Sequence, residues 1–221
     1  MSDTPVTMSM VGPVALVSID DGKVNALTPD LLDSLFGALD AAEAGAGAVV
    51  LAGRPGVFSA GLDLNVMRGG GPAANDLLRK GGESFLRLAE FPRPIVAACT
   101  GHALAGGAVL LLCCDIRICS AGTYKIGLNE VAIGIPLPSL VVALARARLS
   151  PRHFTRACNT ARVYSPSEAV EAGFLDEAGA TDATGEALRI ATELAEGLDA
   201  NAFAATRRRT CEGLGETIVR D

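Results

Sequence analysis

Three short glycine-containing segments carry the residues best suited to chemistry: Phe58-Ser59-Ala60-Gly61-Leu62-Asp63-Leu64, Gly101-His102-Ala103-Leu104-Ala105-Gly106-Gly107 and Ile126-Gly127-Leu128-Asn129-Glu130. In the first two, small residues let a ligand come close to backbone N–H groups. Gly106-Gly107 precedes an apolar helical run, where the free amides and the positive end of the helix dipole attract negative charge. Tight packing of a loop on a helix would use the same residues. The third segment ends on a carboxylate, Glu130, which reads as a general base or as a surface charge on a short helix. No phosphate loop, dinucleotide fingerprint or nucleophile elbow occurs. The two histidines, His102 and His153, are not at ligand spacing with cysteines, so no metal site is expected.

The elements that must hold these segments follow from apolar spacing and turn chemistry. Val6–Met10 and Val14–Ile19 predict a hairpin around Val11-Gly12-Pro13. Thr28-Pro29 predicts a helix start that runs on through Leu31, Leu32, Leu35, Leu39 and Ala42 to Gly45. Ala48–Ala52, Ile95–Thr100 and Ile116–Cys119 read as strands, and 76–90 as a helix that ends before Pro92 and Pro94. Gly69-Gly70-Gly71 with Pro72 reads as a mobile loop. Ala108–Cys113 reads as a helix, and Leu128–Ile133 as one or two helical turns. The second half is mainly helical (Leu140–Arg148, Pro151–Asn159, Ser165–Ala172, Thr184–Leu198 and Asn201–Glu212), with a strand at Phe174–Ala178. Strands alternating with helices, followed by a helical tail, make the class α/β. The expectation is one domain over residues 1–221, with a core over 1–137 and the tail over 138–221.

Composition removes other classes. The net charge is −6 and the chain has seven Phe, two Tyr and no Trp, so it lacks the basic face and stacking platforms of a nucleic-acid binder. No apolar run reaches the length of a membrane span. Met1-Ser2-Asp3-Thr4-Pro5 lacks the features of a secretory leader, and the dispersed cysteines (Cys99, Cys113, Cys114, Cys119, Cys158, Cys211) read as buried thiols, so a cytoplasmic location is expected.

The run Arg54-Pro55-Gly56-Val57-Phe58-Ser59-Ala60-Gly61-Leu62-Asp63-Leu64 resembles the first signature of the crotonase (enoyl-CoA hydratase/isomerase) superfamily. Pro94-Ile95-Val96-Ala97-Ala98-Cys99-Thr100-Gly101-His102-Ala103-Leu104-Ala105-Gly106-Gly107, followed by Cys114-Asp115-Ile116-Arg117-Ile118, is similar to its second. The resemblance implies a spiral of β-β-α repeats with a C-terminal helical oligomerisation region and a homotrimer or dimer of trimers. It also implies an acyl-CoA thioester substrate, with coenzyme A entering as part of the substrate and no separate cofactor.

Carried over position by position, Leu62 and Gly106 match the backbone donors of the family's oxyanion hole, where negative charge grows on the thioester oxygen. Of the two glutamates used in hydration, the first would stand at Val109 and is missing; the second matches Glu130. One carboxylate suffices to move a double bond, because a base can take the C2 proton of a 3-enoyl-CoA and return it at C4. The segments around Leu62 and Glu130 look closer to the mitochondrial type of Δ3,Δ2-enoyl-CoA isomerase than to the hydratases. The resemblance thus implies an isomerase of fatty-acid metabolism, with enoyl-CoA hydratase or an inactive acyl-CoA-binding homologue as alternatives. Burial of Glu130 among Val109, Leu112 and Ile133 would raise its pKa. Substrate contacts are expected from Lys23, Val24, Ala60, Asp63, Leu64, Gly107 and Val109. Arg207, Arg208 and Arg209 either reach CoA phosphates or form a solvated basic face.

Overall fold

Short apolar runs separated by glycine turns fold into a series of strand–strand–helix turns whose main strands pair in parallel. The computed structural model describes residues 4–220, so Met1–Asp3 of the leader reading lie outside the described residues. Val6–Val11 (β1) and Val14–Ile19 (β2) form the expected antiparallel hairpin. Ala26–Leu27 (β3) and the helix Pro29–Gly45 (α1) complete the first turn, and the side chain of Thr28 caps α1 by accepting from Leu31 N at 3.2 Å. The second turn comprises Ala48–Ala52 (β4), Gly56–Ser59 (β5), Gly61–Leu62 (β6), Leu64–Gly69 (α2) and Gly71–Ala89 (α3). The third comprises Ile95–Cys99 (β7), Gly101–Leu104 (β8) and Gly106–Cys113 (α4). Ile116–Ser120 (β9) and Ile126–Gly127 (β10) begin the fourth, which passes through the 3₁₀ turn Val131–Ile133. Helices Ser139–Arg148 (α5), Pro151–Asn159 (α6) and Pro166–Ala172 (α7) follow, then the strand Glu177–Ala180 (β11) and helices Ala183–Gly197 (α8) and Ala200–Thr210 (α9).

The first strand of each turn joins a six-stranded sheet in the order β1-β2-β4-β7-β9-β11, parallel except at the hairpin. The shorter strands form a second parallel sheet, β5-β8-β10, and the pair β3-β6. Every residue of β4 and β7 is buried, as a parallel sheet covered on both faces requires. On one face Leu51, Ala97 and Cys119 pack with α1, α3 and α4; on the other Val50, Val96 and Ile118 pack with Ala183, Ala187 and Ala191 of α8. Part of the apolar stripe of α8 is thus used within the subunit. All six cysteines are buried and none is in a disulfide.

Four local expectations need correction. The third helix starts at Gly71, not at 76: the triple glycine is not a loop, since Pro72 sits in its first turn and Gly70 (φ +63°) redirects the chain from α2. Phe174 and Leu175 are buried but are not strand; their amides fold back onto Ala169 O, and the strand begins two residues later. The helical reading of Leu128–Ile133 reduces to the single 3₁₀ turn. The two-residue strands β3, β6 and β10 escape the periodicity because two residues show none.

Candidate active site

The chain from Lys23 to Leu64 is held by two buried polar side chains. Asn25, in the left-handed region at φ +52°, donates from Nδ2 to Ile19 O at 2.9 Å and Phe58 O at 3.1 Å. Ser59 Oγ donates to Asn25 O at 2.7 Å and accepts from Gly61 N at 3.1 Å. Both residues are fully buried, so these bonds gain from the low local dielectric. Neither stands out from the sequence as a site residue, although Ser59 lies in the first glycine-containing segment.

This frame aims the Leu62 amide. Ala60 N donates to Val24 O at 3.0 Å and Asp63 N to Leu27 O at 3.3 Å. Residues 60 and 63 point the same way only because Gly61 (φ +86°) breaks the alternation between them. With Asp63 N–H directed at β3, the Leu62 N–H faces away from it. A Cβ on Gly61 would lie 2.6 Å from Gly106 N, so β6 and the start of α4 are in direct backbone contact. Gly106 is the first residue of α4, and its amide has no helical carbonyl a turn earlier to donate to. Ala105, which caps α4, is held at φ +49° and ψ −126°. That strain, on the order of 1–3 kcal/mol, turns the chain so that α4 starts against Gly61. Leu62 and Gly106 thus lie side by side at one wall of the cavity described below. Gly61→Ala should displace both and lower kcat/KM by about a hundredfold or more, since losing one such donor costs about that much; steady-state kinetics on an acyl-CoA substrate checks this.

Glu130 joins the site from the fourth turn, between β10 and the 3₁₀ turn. Its position is set by β10, where Ile126 exchanges bonds with Tyr164 at 3.0 and 2.8 Å, and by its own carbonyl, which accepts from Ile133 N and Ile135 N at 3.0 Å. The residue is 9% exposed, and Oε2 is buried without a hydrogen-bond partner. Burial pushes the carboxyl up to about 7, with a hydrogen bond from its own backbone opposing the rise. A carboxyl poised near neutrality and turned toward a cavity is the description of a general base.

That cavity, about 50 Å³, joins Leu62, Leu64, Gly106, Val109 and Glu130, five of the positions expected from the sequence. Val109, fully buried, stands one helical turn after Gly106 and lines the cavity with hydrocarbon. Met67, Leu78, Phe85, Ile133 and Val141 are among the further lining residues. All but Ile133 were missed because a pocket wall and a core stripe have the same helical spacing. Lys23, Val24, Ala60, Asp63 and Gly107 lie outside the cavity lining. Val24 abuts the Ala60–Leu64 segment through its carbonyl, and Lys23 O accepts from Arg54 Nη1 at 2.6 Å. Asp63 caps α2 by accepting from Asn65 N at 2.8 Å. Gly107 serves packing, since a Cβ there would lie 2.1 Å from Ser59 O.

Two expected roles are overturned. Leu112 does not line the cavity at Glu130; one turn further along α4 than Val109, it lines a separate cavity beside α5 and α9. Arg207 is not free to meet a phosphate: it is 6% exposed and pairs with Asp115 at 2.5–2.6 Å, and it also donates to Ala89 O at 3.0 Å. Arg208 and Arg209 are exposed.

A profile of the enoyl-CoA hydratase/isomerase family matches residues 10–210. The chain belongs to this family. It is 34% identical over 179 residues to mouse mitochondrial enoyl-CoA delta isomerase 1, a match covering 78% of this chain and 62% of the mouse protein. The chain spans about three fifths of the length of the mammalian isomerases it matches. Among solved structures, an enoyl-CoA isomerase of Mycobacterium tuberculosis is 38% identical with a TM-score of 0.92, covering 99% of this chain and 96% of that one. An enoyl-CoA hydratase of Mycobacterium marinum is 38% identical with a TM-score of 0.91, covering 98% and 95%. Family relatives thus carry both names, and the choice between the two reactions rests on the site.

Proposed function

We propose that this chain moves a carbon–carbon double bond in an enoyl-CoA thioester from C3 to C2. The observation that carries the reading is a single buried carboxylate, Glu130, in a cavity that Val109 also lines and that holds no other carboxylate among the described residues. The thioester oxygen would accept from the Leu62 and Gly106 amides. Glu130 in its ionised form takes a proton from C2, and the electron pair passes through the conjugated system to the thioester oxygen as a dienolate. The same carboxyl then delivers the proton to C4, the C2–C3 double bond forms, and Glu130 is ionised again. Atoms and charge balance without a cofactor beyond the coenzyme A of the substrate. The apolar walls exclude water, which a hydratase would need to hold and activate between two carboxylates.

Mitochondrial isomerases and fatty-acid oxidation subunits among the relatives support a role in fatty-acid metabolism. The test is to offer trans-3-enoyl-CoA and trans-2-enoyl-CoA separately and to analyse the products. Conversion of the first to the 2-enoyl ester, with no 3-hydroxyacyl-CoA from the second, is the expected result. Hydration of the 2-enoyl ester without isomerisation would replace this reading by the hydratase. Tight acyl-CoA binding with no turnover of either ester would leave only the inactive homologue.

A further inference from the structure

Helix α3 approaches both of the residues whose amides are proposed to hold the thioester oxygen. Gly81 is buried in the middle of α3, and a Cβ there would lie 2.9 Å from Leu62 Cδ2 and 3.5 Å from Leu62 Cδ1. One turn later on the same face, Phe85 Cζ lies 3.2 Å from where a Cβ on Gly106 would stand. The neighbouring Gly82 has nothing within 4 Å of the same position. Glycine inside a helix is disfavoured relative to alanine, and at Gly82 a methyl would fit. At Gly81 it would not. Carbon atoms rest about 3.5–4.0 Å apart, so Leu62 would have to retreat by roughly half an ångström or more. Leu62 has little freedom to do so. It stands opposite Leu27 in the β3-β6 pair, and Gly61 beside it is in backbone contact with Gly106. Its side chain packs against the main core and lines the cavity at Glu130.

Resting on the proposed use of the two amides, we propose that Gly81 is a positioning residue for the reaction. The space it leaves seats the Leu62 side chain, and that seat sets where the Leu62 amide lies beside Gly106. An oxyanion donor is effective only at about 2.7–3.1 Å from the charged oxygen, so a displacement of half that order is felt. The charge develops in the transition state, so the loss falls on kcat more than on KM.

Steady-state kinetics on trans-3-hexenoyl-CoA, with a double-mutant cycle, tests this. Gly81→Ala is expected to lower kcat by about tenfold or more while KM changes by less than about threefold. Gly82→Ala, one position along, should stay within about twofold of wild type in both. Leu62→Ala removes the three atoms nearest the new methyl and keeps the amide. In that background the loss from Gly81→Ala should shrink to less than about threefold. A smaller loss in the single variant would overturn the proposal, as would an equal loss in the Leu62→Ala background. A rise in KM alone would also overturn it, because Leu62 would then obstruct the cavity and its amide would be unmoved. Failure of Gly81→Ala to fold would make Gly81 a packing residue instead. If the wild type itself leaves the ester unchanged, the isomerase reading fails, and the role of Gly81 falls with it.

Discussion

Glu130→Gln should lower turnover of 3-enoyl-CoA by about three orders of magnitude, within the 10²–10⁴-fold that a positioned base contributes. The amide keeps the shape of the carboxyl but cannot accept the C2 proton, so substrate binding should change far less than kcat. The wild-type pH profile offers a second reading of the same group. With its pKa pushed up to about 7 by burial, Glu130 carries its proton at lower pH and cannot act as base. The value of kcat/KM should rise tenfold per pH unit up to about pH 7 and then level off. A profile flat from pH 5 to 8 would remove Glu130 from the reaction.

The same burial links activity to stability. Folded, Glu130 keeps its proton up to about pH 7, whereas its ordinary value is 4.5. The folded state is favoured by that proton below 4.5, and the advantage is lost as the pH rises through about 7. Holding the ionised base in its cavity then costs on the order of 3 kcal/mol. Gln is neutral at every pH, so the variant should melt several degrees above the wild type at pH 8, with the gap closing toward pH 5. A base that costs stability where it is active is the expected compromise of a reactive group in an apolar cavity.

The second large effect is structural. Arg207→Met should destabilise the fold by about 3–5 kcal/mol, because it strands Asp115 without its partner in a half-buried position. Asp115 also accepts from Ile95 N at 2.9 Å, so the damage reaches the start of β7 as well as the docking of α9. At roughly 2–4 °C per kcal/mol, thermal melts should show a drop of about 10 °C. Arg208→Ala and Arg209→Ala, on exposed positions, should stay within about 0.5 kcal/mol of wild type. A loss of CoA-ester affinity in the Arg207 variant at unchanged melting temperature would return that side chain to phosphate binding. The three arginines are consecutive, so they fan about 100° apart around α9, and only packing decides which one turns inward.

What the chain determined by itself lies in backbone chemistry. Glycines at 61 and 107 permit contacts that any side chain would block, and the strands of the large sheet announce themselves as short apolar runs between turns. Thr28-Pro29 marks a helix start with equal clarity. These signals are local; the site roles of Leu62, Gly106 and Glu130 come from the family resemblance. Tertiary structure decided what those residues meet. Leu78 and Phe85 share a face of α3 that the sequence marks only as apolar, and only the approach of Glu130 from the fourth turn makes it a cavity wall. Leu112, on the same helix as Val109, turns to a different cavity. The pKa of Glu130 near neutrality belongs to neither its own residue type nor its neighbours in sequence. It arises because three turns of chain and the start of α5, spanning residues 62–141, exclude water from one carboxylate, and desolvation depends on everything that surrounds a charge.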